Sequence, residues 1–168
     1  VVSDLLRKHA SDLQRLRRSV ETFALYSAKQ HDDIFLLRFL LSYPDPKAAA
    51  KAVRAALTTR QKYRLDDVAE MVTTTPSRDW RCRTLRPHVH LLPVVVLQPD
   101  VWGPAVMYVD AGKMDSFAIM RDVPRELYNT AQRDMMELIF RRMDAATRAT
   151  GILQKYCRII NLEGVSLK

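Results

Sequence analysis

Near its carboxyl end the chain reads Gly151-Ile-Leu-Gln-Lys-Tyr156-Cys157-Arg158-Ile159-Ile160-Asn161-Leu162-Glu163-Gly164-Val165-Ser166-Leu167. So many Tyr, Cys and Ile residues in a short run are typical of a β-strand. Its alternate positions form two mostly apolar faces, one with Tyr156, Arg158, Ile160 and Leu162 and the other with Cys157, Ile159 and Asn161. We therefore expect a central strand that is covered on both sides. Because the chain ends four residues after Gly164, the pattern also favours a fragment of a larger sheet.

Length and cysteine content limit the kind of protein this is. With 168 residues, 48% of them hydrophobic, the chain can bury one sizeable core or two small ones. Cys82 and Cys157 stand far apart and form no CxxC pair, so neither a disulfide framework nor a cysteine zinc site is expected. No apolar run approaches the ~20 residues that cross a bilayer. We expect a cytoplasmic protein whose association with membranes is peripheral.

The positive charge of the chain is concentrated in its first third. The whole chain carries a net charge of +8, with twelve Lys and Arg against six Asp and Glu in residues 1–63 and fifteen against thirteen in residues 64–168. A basic excess of this kind suits nucleic acid, an anionic membrane surface or plain solvation. Solvation is the commonest role of scattered charge.

Helical patterns occupy the first part of the chain. One amphipathic helix is predicted from apolar residues at spacings of three, four and seven, namely Leu6, Leu13, Leu16, Val20 and Phe23. Asp32 or Asp33 is placed to begin a second helix, because a carboxylate suits the positive end of the helix dipole. Asp45 is placed to cap a third helix, with Pro46 in the first turn where its missing N–H costs nothing.

The pattern changes at Thr73-Thr74-Thr75-Pro76-Ser77, after a short fourth helix predicted at residues 66–73. Beyond that point Pro93–Leu97 and Ala105–Val109 are β-rich runs flanking turn residues, which predicts a hairpin. A long amphipathic helix is expected from Pro124 to Ala149. The sequence thus predicts an α/β fold with an all-helical domain at 1–75. A truncated mixed β-sheet domain flanked by helices follows at 76–168.

Three motifs, taken in order, resemble the CRAL-TRIO lipid-binding family. Asp32-Asp33-Ile-Phe-Leu36-Leu37-Arg38-Phe39-Leu40 resembles the "DD..LLRFL" signature of the family's N-terminal helical domain. Trp102-Gly103-Pro104-Ala105-Val106-Met107-Tyr108-Val109 is similar to its "DGRPV" strand, and the run Cys157–Ser166 to its "DLxGxS" strand. The resemblance covers most of residues 32–168. It implies a soluble carrier or sensor of phospholipid or another hydrophobic ligand, with a pocket floored by a sheet and transient contact with membranes.

The resemblance also assigns candidate ligand-contacting residues. A carrier needs an apolar cavity and no catalytic group, because it must replace the burial that the lipid loses on leaving the membrane. The candidates are Val106, Tyr108, Met135, Ile139, Tyr156, Arg158, Ile160 and Leu162. Ordinary sheet and helix core is the alternative role for the apolar members of this set.

Arg158 has two possible roles. Phosphatidylinositol-transferring members of the family resemble one another in a basic pair that this chain replaces by Tyr43 and Pro44. The guanidinium of Arg158, with the Tyr156 hydroxyl, would meet an acidic lipid head group in their place. The alternative is an ion pair with Asp110 across the sheet, because buried arginines usually have protein partners.

Signatures of catalysis, metal binding and cofactor binding are weak or absent in the sequence. His88 and His90 would share a strand face but have no evident third ligand, and Ser166 lacks the Gly at 168 that a hydrolase elbow needs. No P-loop or GxGxxG occurs. We expect neither an enzyme nor a bound cofactor or metal. Two alternatives remain: a protein-interaction module of the same fold that transfers nothing, and a basic helical nucleic-acid-binding protein, which lacks a recognisable recognition helix.

Overall fold

A computed structural model describes residues 1–66, the strand at 94–97 and residues 106–165. The fold is mixed α/β, as the sequence predicts, and its content is mostly helical. The chain forms two compact units, one of Val1–Asp66 with Gly151–Leu153 and the other of Asp67–Thr150 with Gln154–Lys168. The boundary predicted between residues 75 and 76, and nearly all of the short helix predicted at 66–73, lie outside the described residues.

The first unit begins with two helices where the sequence predicts one. Helix α1 spans Val2–Lys8 and α2 spans Ala10–Val20. The break lies at His9, whose φ of −103° and ψ of 16° are not helical. Leu13, Leu16 and Val20 are buried as their spacing predicts.

Helices α3, at Asp33–Leu40, and α4, at Pro46–Lys62, begin where their capping residues predict. The Asp32 carboxylate accepts a hydrogen bond from the Phe35 N–H at 3.1 Å, and the Asp45 carboxylate accepts one from the Ala48 N–H at 2.8 Å. Each cap satisfies an N–H that the first helical turn leaves without a partner. Helices α2, α3 and α4 then pack around fully buried side chains, among them Leu16, Val20, Leu36, Leu37, Ala49 and Val53.

A three-stranded sheet organises the second unit. Strands β1 (Val94–Leu97), β2 (Val106–Asp110) and β3 (Cys157–Asn161) lie in the order β1-β2-β3. The first pair is antiparallel, with Val94 opposite Val109, and the second is parallel, with Val106 opposite Cys157. The antiparallel pair agrees with the predicted hairpin, whose connecting residues 98–105 lie outside the described part.

The prediction that β3 is the central, doubly covered strand is wrong. Within the described residues β2 is central and β3 pairs with β2 alone. Ile159 is 46% exposed and Ile160 is 47% exposed, so neither face of β3 is covered. Two apolar faces show that a strand can be buried on both sides, but they do not fix its place in the order of the sheet.

Two further helices belong to the described part of the second unit. Helix α5 spans Ser116–Asp122 and α6 spans Arg125–Thr150, and α6 agrees with the predicted long helix. Gly151 follows α6 with a φ of +65°, which glycine adopts readily. A cluster of side chains from α5 and the start of α6 forms a small core: Ala118, Ile119, Val123 and Ala131, with Met114, Leu127 and Tyr128 around them. None of the helices in the described part of the chain is long and apolar enough to span a bilayer.

Candidate functional site

One face of the sheet packs against α6. On β2 the side chains of Met107 and Val109 are buried against Ile139 of α6, and the partly buried side chains around them are Met135, Met143 and Tyr156. Three of the predicted ligand-contacting residues, Met135, Ile139 and Tyr156, therefore meet in one cluster. Ile139 is only 2% exposed, so protein atoms already surround its side chain.

Arg158 and Ile160 lie on that same face but beyond its covered part. Arg158 is opposite Met107 and Ile160 is opposite Val109, and residues directly opposite in neighbouring strands project to the same side. Arg158 and Ile160 are nevertheless exposed, because they belong to the edge strand. Leu162 follows the end of β3 and is 65% exposed.

The other face of the sheet carries the remaining two candidates. Val106 is opposite Cys157 and Tyr108 is opposite Ile159, which gives four neighbouring side chains that we call the open face. Val106 and Tyr108 are half-buried, while Cys157 and Ile159 are exposed. The structure thus divides the predicted set, with Val106 and Tyr108 on one side of the sheet and Met135, Ile139, Tyr156, Arg158 and Ile160 on the other. Cys157 and Ile159 belong to the open face, although they are not among the ligand-contacting residues predicted from the sequence.

Asp110 is occupied by partners other than Arg158. The Nζ atom of Lys113 lies 2.8 Å from the Asp110 carboxylate, and the Asn161 amide donates to it at 3.4 Å. This contact with Asp110 raises the pKa of Lys113. Asp110 projects to the open face and Arg158 to the face opposite, so the predicted pair across the sheet does not form. Among the described residues, Arg158 has no ion-pair partner.

The end of the sheet beside Asp110 is closed by a direct contact between two turns. A Cβ atom placed on Gly112 would lie 1.6 Å from the carbonyl oxygen of Glu163, so only glycine fits there. The Asn161 side chain accepts a hydrogen bond from the Glu163 N–H at 3.0 Å and holds the second turn. This polar corner limits the open face at the carboxyl end of β3.

The helical unit contains a cavity of about 410 Å³ that the sequence analysis did not predict. Its walls include Leu6, Tyr26 and Ile34, together with the ion pair between Arg17 and Asp33. The hydrogen bond to Asp33 raises the pKa of Arg17, and burial raises the pKa of Tyr26. Because its charges are paired within the protein, this cavity offers little to a charged ligand.

A second concave surface lies between α2 and α4. It has a volume of about 600 Å³ and is lined by Ser19, Asp45, Lys47, Ala48, Ala50, Lys51 and Arg54. The three basic residues recur at spacings of four and three, so they lie along one face of α4. This region belongs to the basic first third of the chain, and the spacing of its lysines and arginine is the signal that locates the surface. We call this surface the basic cleft.

No group of three or more His, Cys, Asp or Glu side chains in the described residues is arranged to hold a metal ion. The predicted pair His88 and His90 lies outside them, as does Ser166. The sequence matches no family model and no curated protein.

Proposed function

We propose that this chain binds a hydrophobic ligand, most favourably a phospholipid, as a carrier or sensor of the CRAL-TRIO type. The observation that carries the proposal is the asymmetry of the sheet. Helix α6 covers one face through Ile139 and buries Met107 and Val109, whereas on the other face Val106 and Tyr108 are half-buried and Ile159 is exposed. A partly exposed apolar sheet face is a suitable floor for a lipid chain.

The positions of the three motifs support the same proposal. The "DD..LLRFL" motif forms α3 with its Asp32 cap, the second motif ends in β2, and the third contains β3. The long helix α6 lies between the second and third motifs. In this proposal the first unit is the family's helical domain, and the second is part of its lipid-binding domain.

Energetics explain why an apolar floor matters. An acyl chain of about sixteen carbons loses roughly 0.8 kcal/mol of favourable burial per CH₂ in water, on the order of 12 kcal/mol in all. A carrier replaces that burial with protein contacts and needs no catalytic step. We propose that the carrier works in the cytoplasm and meets membranes transiently, in keeping with its cysteine usage.

Within this proposal, the geometry of the sheet reduces the set of residues that can contact the acyl chain. Val106 and Tyr108 line the open face with Ile159 and Cys157. Met135, Ile139 and Tyr156 support the sheet from the other side, where they pack against Met107 and Val109. The acyl chain is therefore assigned to the open face.

Two adjacent isoleucines provide a matched test of this assignment. Ile159 and Ile160 have the same side chain and almost equal exposure, 46% and 47%, but project to opposite faces of β3. The measurement is extraction of labelled phosphatidylcholine from vesicles, together with mass spectrometry of the organic extract of the purified protein. We expect Ile159→Lys to abolish uptake and Ile160→Lys to retain most of it.

Other results would identify the alternatives. Loss of uptake in Ile160→Lys alone would show that the ligand binds on the α6 side of the sheet. A wild-type protein with no co-purifying lipid and no uptake would contradict lipid binding and favour the protein-interaction module. Thermal unfolding of both variants checks that each is folded.

A further inference from the structure

The basic cleft presents three cations and a single carboxylate. Lys47, Lys51 and Arg54 line one side of it and are all exposed. Asp45, the only acidic residue of the lining, already accepts the Ala48 N–H as the cap of α4. The cleft therefore has an excess of positive charge in a concave surface, which favours an anionic ligand.

The cations differ in how they are held. The Arg54 guanidinium donates to the carbonyl oxygen of Ser19 on α2 and so spans the cleft. Lys47 and Lys51 have no hydrogen-bond or ion-pair partner among the described residues. Two ammonium groups about one helical turn apart are thus available to an external anion beside an arginine whose position is fixed.

Exposed apolar side chains stand next to these charges in the chain. Leu41 is 43% exposed and Tyr43 is 44% exposed, and both lie in the connection from α3 to α4. Tyr43 lies four residues before Lys47 and three before Pro46, the first residue of α4. This is the end of α4 at which Asp45 and Lys47 line the cleft. Exposed aliphatic and aromatic side chains that are close in sequence to a cluster of lysines are the combination that anchors proteins at the interface of an anionic bilayer.

We propose that the basic cleft, with Leu41 and Tyr43, is a surface that docks the helical unit onto membranes containing anionic phospholipid. The lysines meet lipid phosphate and carboxylate groups, and the two apolar side chains enter the interfacial region. This surface belongs to the helical unit and the open face to the second unit, so the inference does not depend on the proposed lipid-carrier function. Nucleic acid is the less favoured occupant, because the exposed side chain of Leu41 cannot stack on a base, whereas the interfacial region of a bilayer accommodates it.

The test measures flotation of the full chain with vesicles of phosphatidylcholine alone, or of phosphatidylcholine with about one third phosphatidylserine. We expect binding only to the anionic vesicles, with binding weakened by salt. Lys47→Gln with Lys51→Gln is expected to reduce the partition coefficient by roughly tenfold or more, since each basic residue near such a surface contributes about fivefold.

The matched control removes two lysines elsewhere in the helical unit. Lys8→Gln with Lys29→Gln makes the same change in net charge at exposed positions outside the cleft, and should change the partition coefficient by less than about threefold. Equal losses in the two double variants would overturn the proposal, because binding would then follow net charge alone. Absence of binding by the wild-type protein to anionic vesicles would also overturn it.

A second double variant tests whether the surface binds a membrane and not another polyanion. Leu41→Ser with Tyr43→Ser should weaken binding to anionic vesicles and leave retention on a heparin column unchanged, because heparin is a polyanion without an apolar interior. Unchanged vesicle binding in this variant would overturn the membrane assignment. Tighter, cleft-dependent binding of an oligonucleotide than of vesicles at the same salt concentration would overturn it as well.

Discussion

The Nδ1 atom of His31 accepts a hydrogen bond from the backbone N–H of Ser27 at 3.0 Å, so this ring nitrogen carries no proton. The imidazole is buried between the rings of Tyr26 and Phe35, at centroid distances of 5.7 and 4.9 Å. Burial, followed by the charge of Arg60, lowers the pKa of His31 below its ordinary value of 6.5. The folded helical unit is therefore built around a neutral histidine.

This arrangement predicts that acid destabilises the helical unit before the carboxylates titrate. Because the folded state has the lower pKa, the unfolded state binds more protons as the pH falls below about 6.5. The free energy of unfolding should be greatest above that pH and should decrease as the pH falls towards the pKa of the folded state. Urea unfolding between pH 5 and 8 measures the slope, and His31→Gln should flatten it. Equal slopes in the two proteins would show that His31 is not responsible.

Gly112 is predicted to be intolerant of any side chain. Gly112→Ala places a Cβ 1.6 Å from the Glu163 carbonyl oxygen, so one of the two turns must move, at a cost of about 1–3 kcal/mol or more. Gly164→Ala is the control, because it has a φ of +81° but meets only atoms at 3.9 Å and beyond. Denaturant unfolding should show the greater loss for Gly112→Ala. A smaller loss than in the control would mean that the contact is easily relieved.

Ile139 is predicted to stabilise the second unit whether or not a lipid is bound. Ile139→Ala leaves a cavity against Met107 and Val109 and should lower the free energy of unfolding by about 2–5 kcal/mol. Ile159→Ala removes the same atoms from an exposed position and should lower it by less than about 1 kcal/mol. Both values come from denaturant unfolding in the absence of lipid. Comparable losses would mean that the two faces of the sheet are packed alike.

Arg158 provides a charge-reversal test of head-group binding. Since its side chain is exposed and unpaired among the described residues, Arg158→Glu should leave the melting temperature nearly unchanged. Because Arg158 projects to the face opposite the open face, to which the acyl chain is assigned, we expect the uptake of both phosphatidylinositol and phosphatidylcholine to stay near the wild-type value. Loss of phosphatidylinositol uptake alone would show that the guanidinium meets an acidic head group and that the ligand lies on the α6 side of the sheet. Normal uptake of the anionic lipid would exclude this role.

Local chemistry allowed much of the fold to be predicted. Asp32 and Asp45 identify two helix starts, because a carboxylate that accepts an N–H in the first turn acts within three residues. Helix α6 is identified by a long run of apolar residues at spacings of three and four. The break at His9 and the short helix α5 were not predicted, because neither contains a proline or glycine breaker or a pattern long enough to be recognised.

The candidate site depended on information that the sequence does not contain. Alternation shows that Val106 and Tyr108 share one face, and that Arg158 and Ile160 share one face. It does not show whether the two pairs share the same one. A shift of one residue between strands exchanges the faces, and the register of Val106 with Cys157 places the pairs on opposite sides.

The hydrogen bond from the Val2 N–H to the Gly151 carbonyl oxygen, at 2.7 Å, affects the timing of folding on the ribosome. Gly151–Leu153 belongs to the same compact unit as Val1–Asp66, although about 85 residues of chain separate the two pieces. At about 5–20 residues per second, synthesis of that separation takes roughly 4–17 seconds. During this interval α1 lacks its final backbone partner. The nascent helical unit is therefore incomplete while most of the second unit is still being translated.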